Sequence, residues 1–110
     1  MQIPGANRAI VDVEKLRTYV LNSGHPEGRH KARVFMAALG IDARDAEWLA
    51  AALREAVVAA DGQLGVVDGF GARYTAEFVV ERSGRSAKVR SAWIVQAGQD
   101  LPRLVTCFVV

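Results

Sequence analysis

The spacing of apolar residues changes once along this chain of 110 residues, near Gly62, and that change constrains the fold most strongly. Before it, apolar residues recur every three or four positions, as on the buried face of a helix. After it, apolar and polar residues alternate, as along a strand with one buried face. Helical and strand-like segments are therefore segregated, which predicts an α+β fold and not a chain of βαβ units.

Three helices are predicted in the first 60 residues. Asp12 is placed to cap the first one, and the proline and glycines around Pro26 end it. The second helix is expected over residues 30–39, with Gly40 at its end. The third is expected over residues 42–60, with a capping box at its start. The expected buried faces are Val13, Leu16 and Val20, then Val34, Phe35, Ala38 and Leu39, then Ala46, Leu49, Leu53, Val57 and Ala60.

The remaining residues predict an antiparallel sheet. The glycines at positions 62, 65, 69 and 71 indicate a loop that leads into it. Strands are expected on both sides of a hairpin turn at Ser83–Arg85, with a last strand over Leu104–Val110. Inward-facing residues are expected to be Tyr74, Ala76, Phe78, Val80, Val89, Trp93 and Val95. The predicted fold is three N-terminal helices followed by a β-meander of three or four strands, with residues 1–110 as a single domain.

Composition excludes several classes of protein. Hydrophobic residues make up 51% and charged residues 24%, which is typical of an ordered globular chain. A net charge of +2 is far too small for a protein that coats duplex DNA. Residues 1–8 lack the apolar core of a signal peptide, so a cytoplasmic protein without membrane contact is expected. Cys107 is the only cysteine, and its apolar neighbours predict a buried thiol.

The segment from His25 to Lys31 is the strongest candidate for chemistry. His30 lies four residues before Val34, and Lys31 lies four before Phe35, so both are expected to continue the buried helical stripe. A helix N-terminus favours anions, and a phosphate there would be held by amides and by the lysine. An adjacent imidazole that transfers protons suits cleavage of RNA through its 2′-hydroxyl. A purely structural role for the segment is the alternative.

Other candidates lie in the sheet, and the common catalytic motifs are absent. Arg90 is expected either to pair with Glu77 across the sheet or to contact phosphate, and Arg103 enters the last strand. The chain has no phosphate loop, CxxC pair, HExxH helix or GxSxG turn. Two histidines and one cysteine do not predict a zinc site. No metal and no cofactor are therefore expected, and Tyr74 and Trp93 are interpreted as core aromatics.

Three runs of the sequence resemble a family of small uncharacterised bacterial domains over nearly the whole chain. These runs are His25–Phe35, Arg90–Val95 and Pro102–Val109. Such domains resemble one member of a two-gene module or the C-terminal part of a larger toxin. The order of helices and sheet is also similar to the barnase–EndoU–colicin–RelE group of ribonuclease toxins, in which a helix and the sheet share the catalytic work. That similarity implies a catalytic set of His30, Lys31, Arg90, Arg103 and Thr106.

The prediction is a metal-independent ribonuclease toxin of a toxin–antitoxin or polymorphic-toxin system. Its expected partners are RNA and a small antitoxin or immunity protein. The alternative is a non-enzymatic interaction module, such as an antitoxin, immunity or adaptor protein of a small two-gene module. In that case Arg29, His30 and Lys31 contact the partner, and the sheet edge pairs with another chain or, in a homodimer, with a second copy.

Overall fold

The computed structural model describes residues 1–110 and contains three helical segments followed by four strands. The helices are α1 at Val13–Lys15, which runs directly into a π-helical turn at Leu16–Val20, α2 at Arg29–Leu39 and α3 at Ala46–Ala59. The strands are β1 at Gly62–Asp68, β2 at Gly71–Arg82, β3 at Arg85–Gln96 and β4 at Arg103–Val109. They form an antiparallel sheet in the order β1-β2-β3-β4. The predicted α+β fold, with helices first and a meander after them, is confirmed.

The helix ends lie where the capping residues predict them. The Asp12 carboxylate accepts hydrogen bonds from the first backbone amides of α1. Gly40 ends α2 in the left-handed conformation, with φ of 69°, which favours glycine. Asp42 and Asp45 form the expected capping box ahead of α3. These signals act within a few residues of each helix end and need no tertiary contact.

The buried face of α2 differs from the predicted one. Ala32, Phe35 and Leu39 are buried, whereas Val34 is 43% exposed. The prediction that His30 and Val34 lie on the buried stripe is wrong. The face of α2 that contacts the core is the adjacent one, which carries Phe35 and Leu39. Lys31, four residues before Phe35, is half-buried, and His30 is exposed.

The glycine-rich segment after α3 is a strand, so its interpretation as a loop is wrong. β1 pairs with β2 from Gly62 opposite Ala76 to Asp68 opposite Gly71, with a bulge between Leu64 and Val67. Gly71 has φ of 142°, and a Cβ there would overlap the carbonyl oxygen of Val95, so only glycine fits. Glycines in an extended conformation thus form an edge strand here, although glycine-rich sequence usually indicates turns.

The helices pack against one face of the sheet and leave the other face open. Val89, Trp93 and Cys107 lie in the same buried cluster as the apolar residues of α2 and α3. Strand alternation places Arg90 and Phe108 on the opposite face, here called the outer face. β4 is an edge strand, so its outer-face side chains are within reach of side chains from α2.

None of the helices has both the length and the apolar character that a membrane-spanning helix needs.

Candidate functional site

The Lys31 ammonium is held where the N-terminal turn of α2 meets β4. Its Nζ donates a hydrogen bond to Thr106 Oγ1 over 3.0 Å and lies 3.4 Å from the Tyr19 hydroxyl oxygen. Two aromatic rings complete its surroundings, with the ring centres of Tyr19 and Phe108 at 5.0 and 5.9 Å from Nζ. Hydroxyls and rings thus fix this cation in a half-buried position.

No carboxylate neutralises Lys31. The seven salt bridges of the structure join other groups, and none includes this ammonium. A half-buried cation without a counter-charge keeps its capacity to attract an anion. The amides at the start of α2 add partial positive charge near by. Electrostatically, the site is therefore suited to a phosphate or a carboxylate.

His25 organises the chain before α2 and so positions Lys31. Its Nδ1 accepts hydrogen bonds from the backbone amides of Glu27 and Gly28, each over 3.0 Å. The ring thereby orders the turn that leads into α2, whose N-cap residue Gly28 has no side chain to accept from the first helical amides. It also packs edge-on against Tyr19, with ring centres 4.7 Å apart. His25 is a positioning residue, a role that the sequence does not reveal.

His30 lies on the solvent side of the same region. It lines a shallow pocket of about 280 Å³ together with Lys31, Val34, Phe108 and Val109. The imidazole makes no hydrogen bond to the protein and is exposed. Its ring nitrogens therefore have no hydrogen-bond partner within the protein. The lining thus combines a histidine and a lysine with three apolar residues.

Arg90 approaches the site from the sheet but is already paired. Its guanidinium Nε and Nη2 both donate to Glu77 Oε2 over 2.6 Å, which confirms the predicted cross-strand pair. Hydrogen bonds from Arg90, and then from Lys88, hold the pKa of the Glu77 carboxyl below its ordinary value. The guanidinium carbon also lies 5.8 Å from the ring centre of Phe108. Arg90 and Lys31 therefore flank the same aromatic ring.

Arg103 stands apart from the other predicted residues. It is exposed at the start of β4, opposite Ile94 and beside Ile10, which bridges to it in parallel. Its side chain makes no hydrogen bond or salt bridge. At about 3.3 Å per residue, Arg103 is roughly 10 Å along the strand from Thr106. The structure thus gathers His30, Lys31, Thr106 and Arg90 around Phe108, and leaves Arg103 outside that group.

Three contributors to the site have no clear signal in the sequence. Tyr19 has no such signal, because its contact with Lys31 depends on how the π-helical turn packs beside α2. His25 belongs to the candidate segment, but the hydrogen bonds that its ring accepts are not visible in the sequence. Phe108 looks like one more apolar residue of the last strand, although its alternation with the buried Cys107 places it on the outer face.

Cys107 is unsuited to nucleophilic catalysis. Burial raises the pKa of its thiol to about 12, and nearby Lys31 only partly offsets that rise. An unfolded chain ionises its thiol above about pH 8.5, whereas the folded chain does not. The folded state therefore binds one more proton between these values, and stability must fall as pH rises.

Replacing Cys107 by alanine should remove this pH dependence. Above about pH 8.5 the free energy of unfolding of the wild type should fall more steeply than that of Cys107→Ala, by about 1.4 kcal/mol per pH unit. Urea unfolding at pH 8, 9 and 10 measures both slopes. Equal slopes in the two proteins would show that the thiol ionises in the folded state.

The fold and this site define a class of protein: an α+β domain in which a helix-borne lysine reaches an edge strand of a four-stranded meander. Residues 2–110 match the family described as a domain of unknown function (DUF6883), and the chain belongs to that family. No curated protein and no solved structure matches it. The predicted membership of a family of uncharacterised domains is confirmed. The relationship to ribonuclease toxins stays a prediction.

Proposed function

We propose that this protein is a metal-independent ribonuclease of toxin type that acts on RNA in the cytoplasm. The observation that carries the proposal is the Lys31 ammonium, which Thr106 and Tyr19 hold without a counter-charge, on a residue that lines the same pocket as His30. RNA cleavage through the 2′-hydroxyl needs a proton acceptor and a cation near the phosphate, and it needs no metal. His30 and Lys31 line one pocket.

The reaction balances without any further reactant except water. His30 takes the proton of a ribose 2′-hydroxyl, and that oxygen attacks the adjacent phosphorus. The bond from phosphorus to the 5′ oxygen breaks, and water protonates the leaving oxygen. The products are a 2′,3′-cyclic phosphate and a 5′-hydroxyl, and the resulting hydroxide takes the proton back from His30. Lys31 stabilises the negative charge that grows on the phosphate oxygens.

The surroundings of Lys31 favour single-stranded RNA. Phe108 offers a ring at the floor of the pocket on which an unpaired base stacks. Arg90 keeps part of its guanidinium exposed beside this ring, and Arg103 lies farther along β4, where it meets the next stretch of backbone. A cell that makes such an enzyme needs a small antitoxin or immunity protein that covers this basic site.

RNA cleavage by the purified protein in EDTA is the direct test. We expect the wild type to cut single-stranded RNA and leave 2′,3′-cyclic phosphate ends, and its induction to arrest growth. His30→Ala should lower the rate by about 10²–10⁴-fold, and Lys31→Met by about 10²-fold or more. Gel analysis of end-labelled RNA measures the rates, and circular dichroism verifies that each variant is folded.

Lys15→Met is the matched control, because it removes the same charge from a lysine outside the site. It should cut RNA at nearly the wild-type rate. Undiminished cleavage by Lys31→Met would exclude the proposed site. No cleavage of single-stranded or structured RNA by the wild type, together with normal growth, would overturn the ribonuclease proposal in favour of a non-enzymatic interaction module.

A further inference from the structure

At the edge of the sheet opposite β4, the edge strand β1 pairs with only part of β2. β1 begins at Gly62 opposite Ala76, so the part of β2 from Glu77 to Arg82 has a neighbouring strand only on the β3 side. None of the backbone hydrogen bonds made by turns and loops involves residues 77–82. Alternate amide and carbonyl groups along this segment therefore face a missing strand.

An apolar groove runs along this open edge. Its volume is about 540 Å³, and α3 forms one wall while β2 forms the other. Small side chains on α3 keep the groove wide, and a cluster closes one end, where the Arg82 guanidinium lies 4.8 Å from the Trp48 ring centre and 3.0 Å from Asp45. The apolar lining includes Ala52, Ala56, Ala59, Val79 and Val80. A strand that pairs with residues 77–82 would occupy this groove.

Two free carboxylates face the groove. Glu55 on α3 and Glu81 on β2 line it, and neither forms a salt bridge. Glu77 at the other end of the segment is neutralised by Arg90 and Lys88. The groove is thus locally acidic in a chain whose net charge is +2. An occupant that carries basic side chains would be complementary to it.

We propose that this groove docks an extended segment of a partner protein in which basic and apolar residues alternate. The segment adds a strand to residues 77–82 of β2. Its apolar side chains pack against the alanines of α3, and its alternate basic side chains lie on the outer face beside Glu81. Glu55 adds to the negative charge of the groove from α3. This surface is independent of the proposed ribonuclease site, from which β3 separates it.

A second copy of the chain is a poorer occupant. A two-fold antiparallel pairing of two such edges would set the unpaired carboxylate of Glu81 in each copy against the acidic groove of the other. Like charges directly opposite each other destabilise a strand pair. A basic segment avoids this repulsion and gains an attraction in its place.

A synthetic peptide of alternating lysine and valine residues, as long as the open segment, tests the proposal. We expect it to shift the amide NMR signals of residues 77–82 and of α3 in the isotope-labelled full chain, and to slow hydrogen exchange along the open edge. The double variant Glu55→Lys and Glu81→Lys should bind it about tenfold more weakly. A peptide of alternating glutamate and valine should show the reverse preference.

Asp100→Lys is the matched control, because it reverses an exposed charge in a loop outside the groove and should leave peptide affinity unchanged. Unfolding curves verify that all variants are folded. The proposal is overturned by an absence of signal shifts at millimolar peptide, by equal affinity of the wild type and the double variant, or by shifts outside the groove. Shifts at residues 77–82 that grow with protein concentration alone would assign the edge to a second copy instead.

Discussion

Replacing Trp93 by alanine should lower the free energy of unfolding by about 3–5 kcal/mol, a large part of the total for a domain of this size. Trp93 is fully buried at the centre of the sheet, on the face that the helices cover. Its indole Nε1 donates to Ser91 Oγ over 2.8 Å, and that hydroxyl donates to the Ala76 carbonyl over 2.8 Å. The substitution leaves a cavity and removes the end of this hydrogen-bonded chain.

The contribution of the hydrogen bonds can be separated from that of the ring. Ser91→Ala keeps the indole but leaves its buried N–H without a partner, which should cost about 1–3 kcal/mol. Urea unfolding measures both variants, and Val66→Ala, at a position that is 61% exposed, should change stability by less than about 0.5 kcal/mol. A Trp93→Ala protein within 1 kcal/mol of the wild type would show that the core can be repacked without this ring.

The parts of the fold that the sequence predicts correctly are those with local causes. The helix ends can be predicted from the sequence because each capping residue contacts backbone groups only a few residues away. These caps are Asp12, Gly40 and the Asp42–Asp45 box. The period-two alternation of β2 and β3 is equally local. Together these signals are sufficient for the α+β class and for the order of its elements.

The errors have non-local causes. α2 carries apolar residues on more than one face, and only packing against the sheet decides that Phe35 is buried and Val34 is exposed. β1 exists because β2 offers it a partner, although its own glycines favour turns. Strand pairing across many residues is not visible in a local pattern.

In the candidate site, too, the features with local causes can be predicted from the sequence and those with non-local causes cannot. The choice of His30 and Lys31 follows from local basic residues at a helix start, but the contact between Lys31 and Thr106 joins positions 75 residues apart. Thr106 is a candidate only through the similarity of folds, and Arg90 is a candidate from its place in a strand as well. Sequence spacing does not specify the strand register that brings them to Phe108, and it does not separate Arg103 from them.

Gly28 connects the stability of the fold with the position of Lys31, so Gly28→Ala should have a large effect on both. A Cβ at this position would overlap the Tyr19 carbonyl oxygen and lie 2.9 Å from its carbonyl carbon. Both atoms belong to the backbone, so no side-chain rotation relieves the overlap. The start of α2 must move away from Tyr19, which we expect to cost about 2–4 kcal/mol in urea unfolding.

Gly24→Ala is the control, since a Cβ there meets only the Asn22 side chain at an ordinary 3.4 Å and should change stability by less than about 1 kcal/mol. The displacement in Gly28→Ala should also break the amide hydrogen bonds to His25 Nδ1 and separate Lys31 from the Tyr19 hydroxyl. NMR signals of the His25 and Tyr19 rings report both changes. A stable Gly28→Ala protein with unchanged ring signals would contradict the close contact between these segments, and with it the argument that the turn before α2 fixes Lys31 in place.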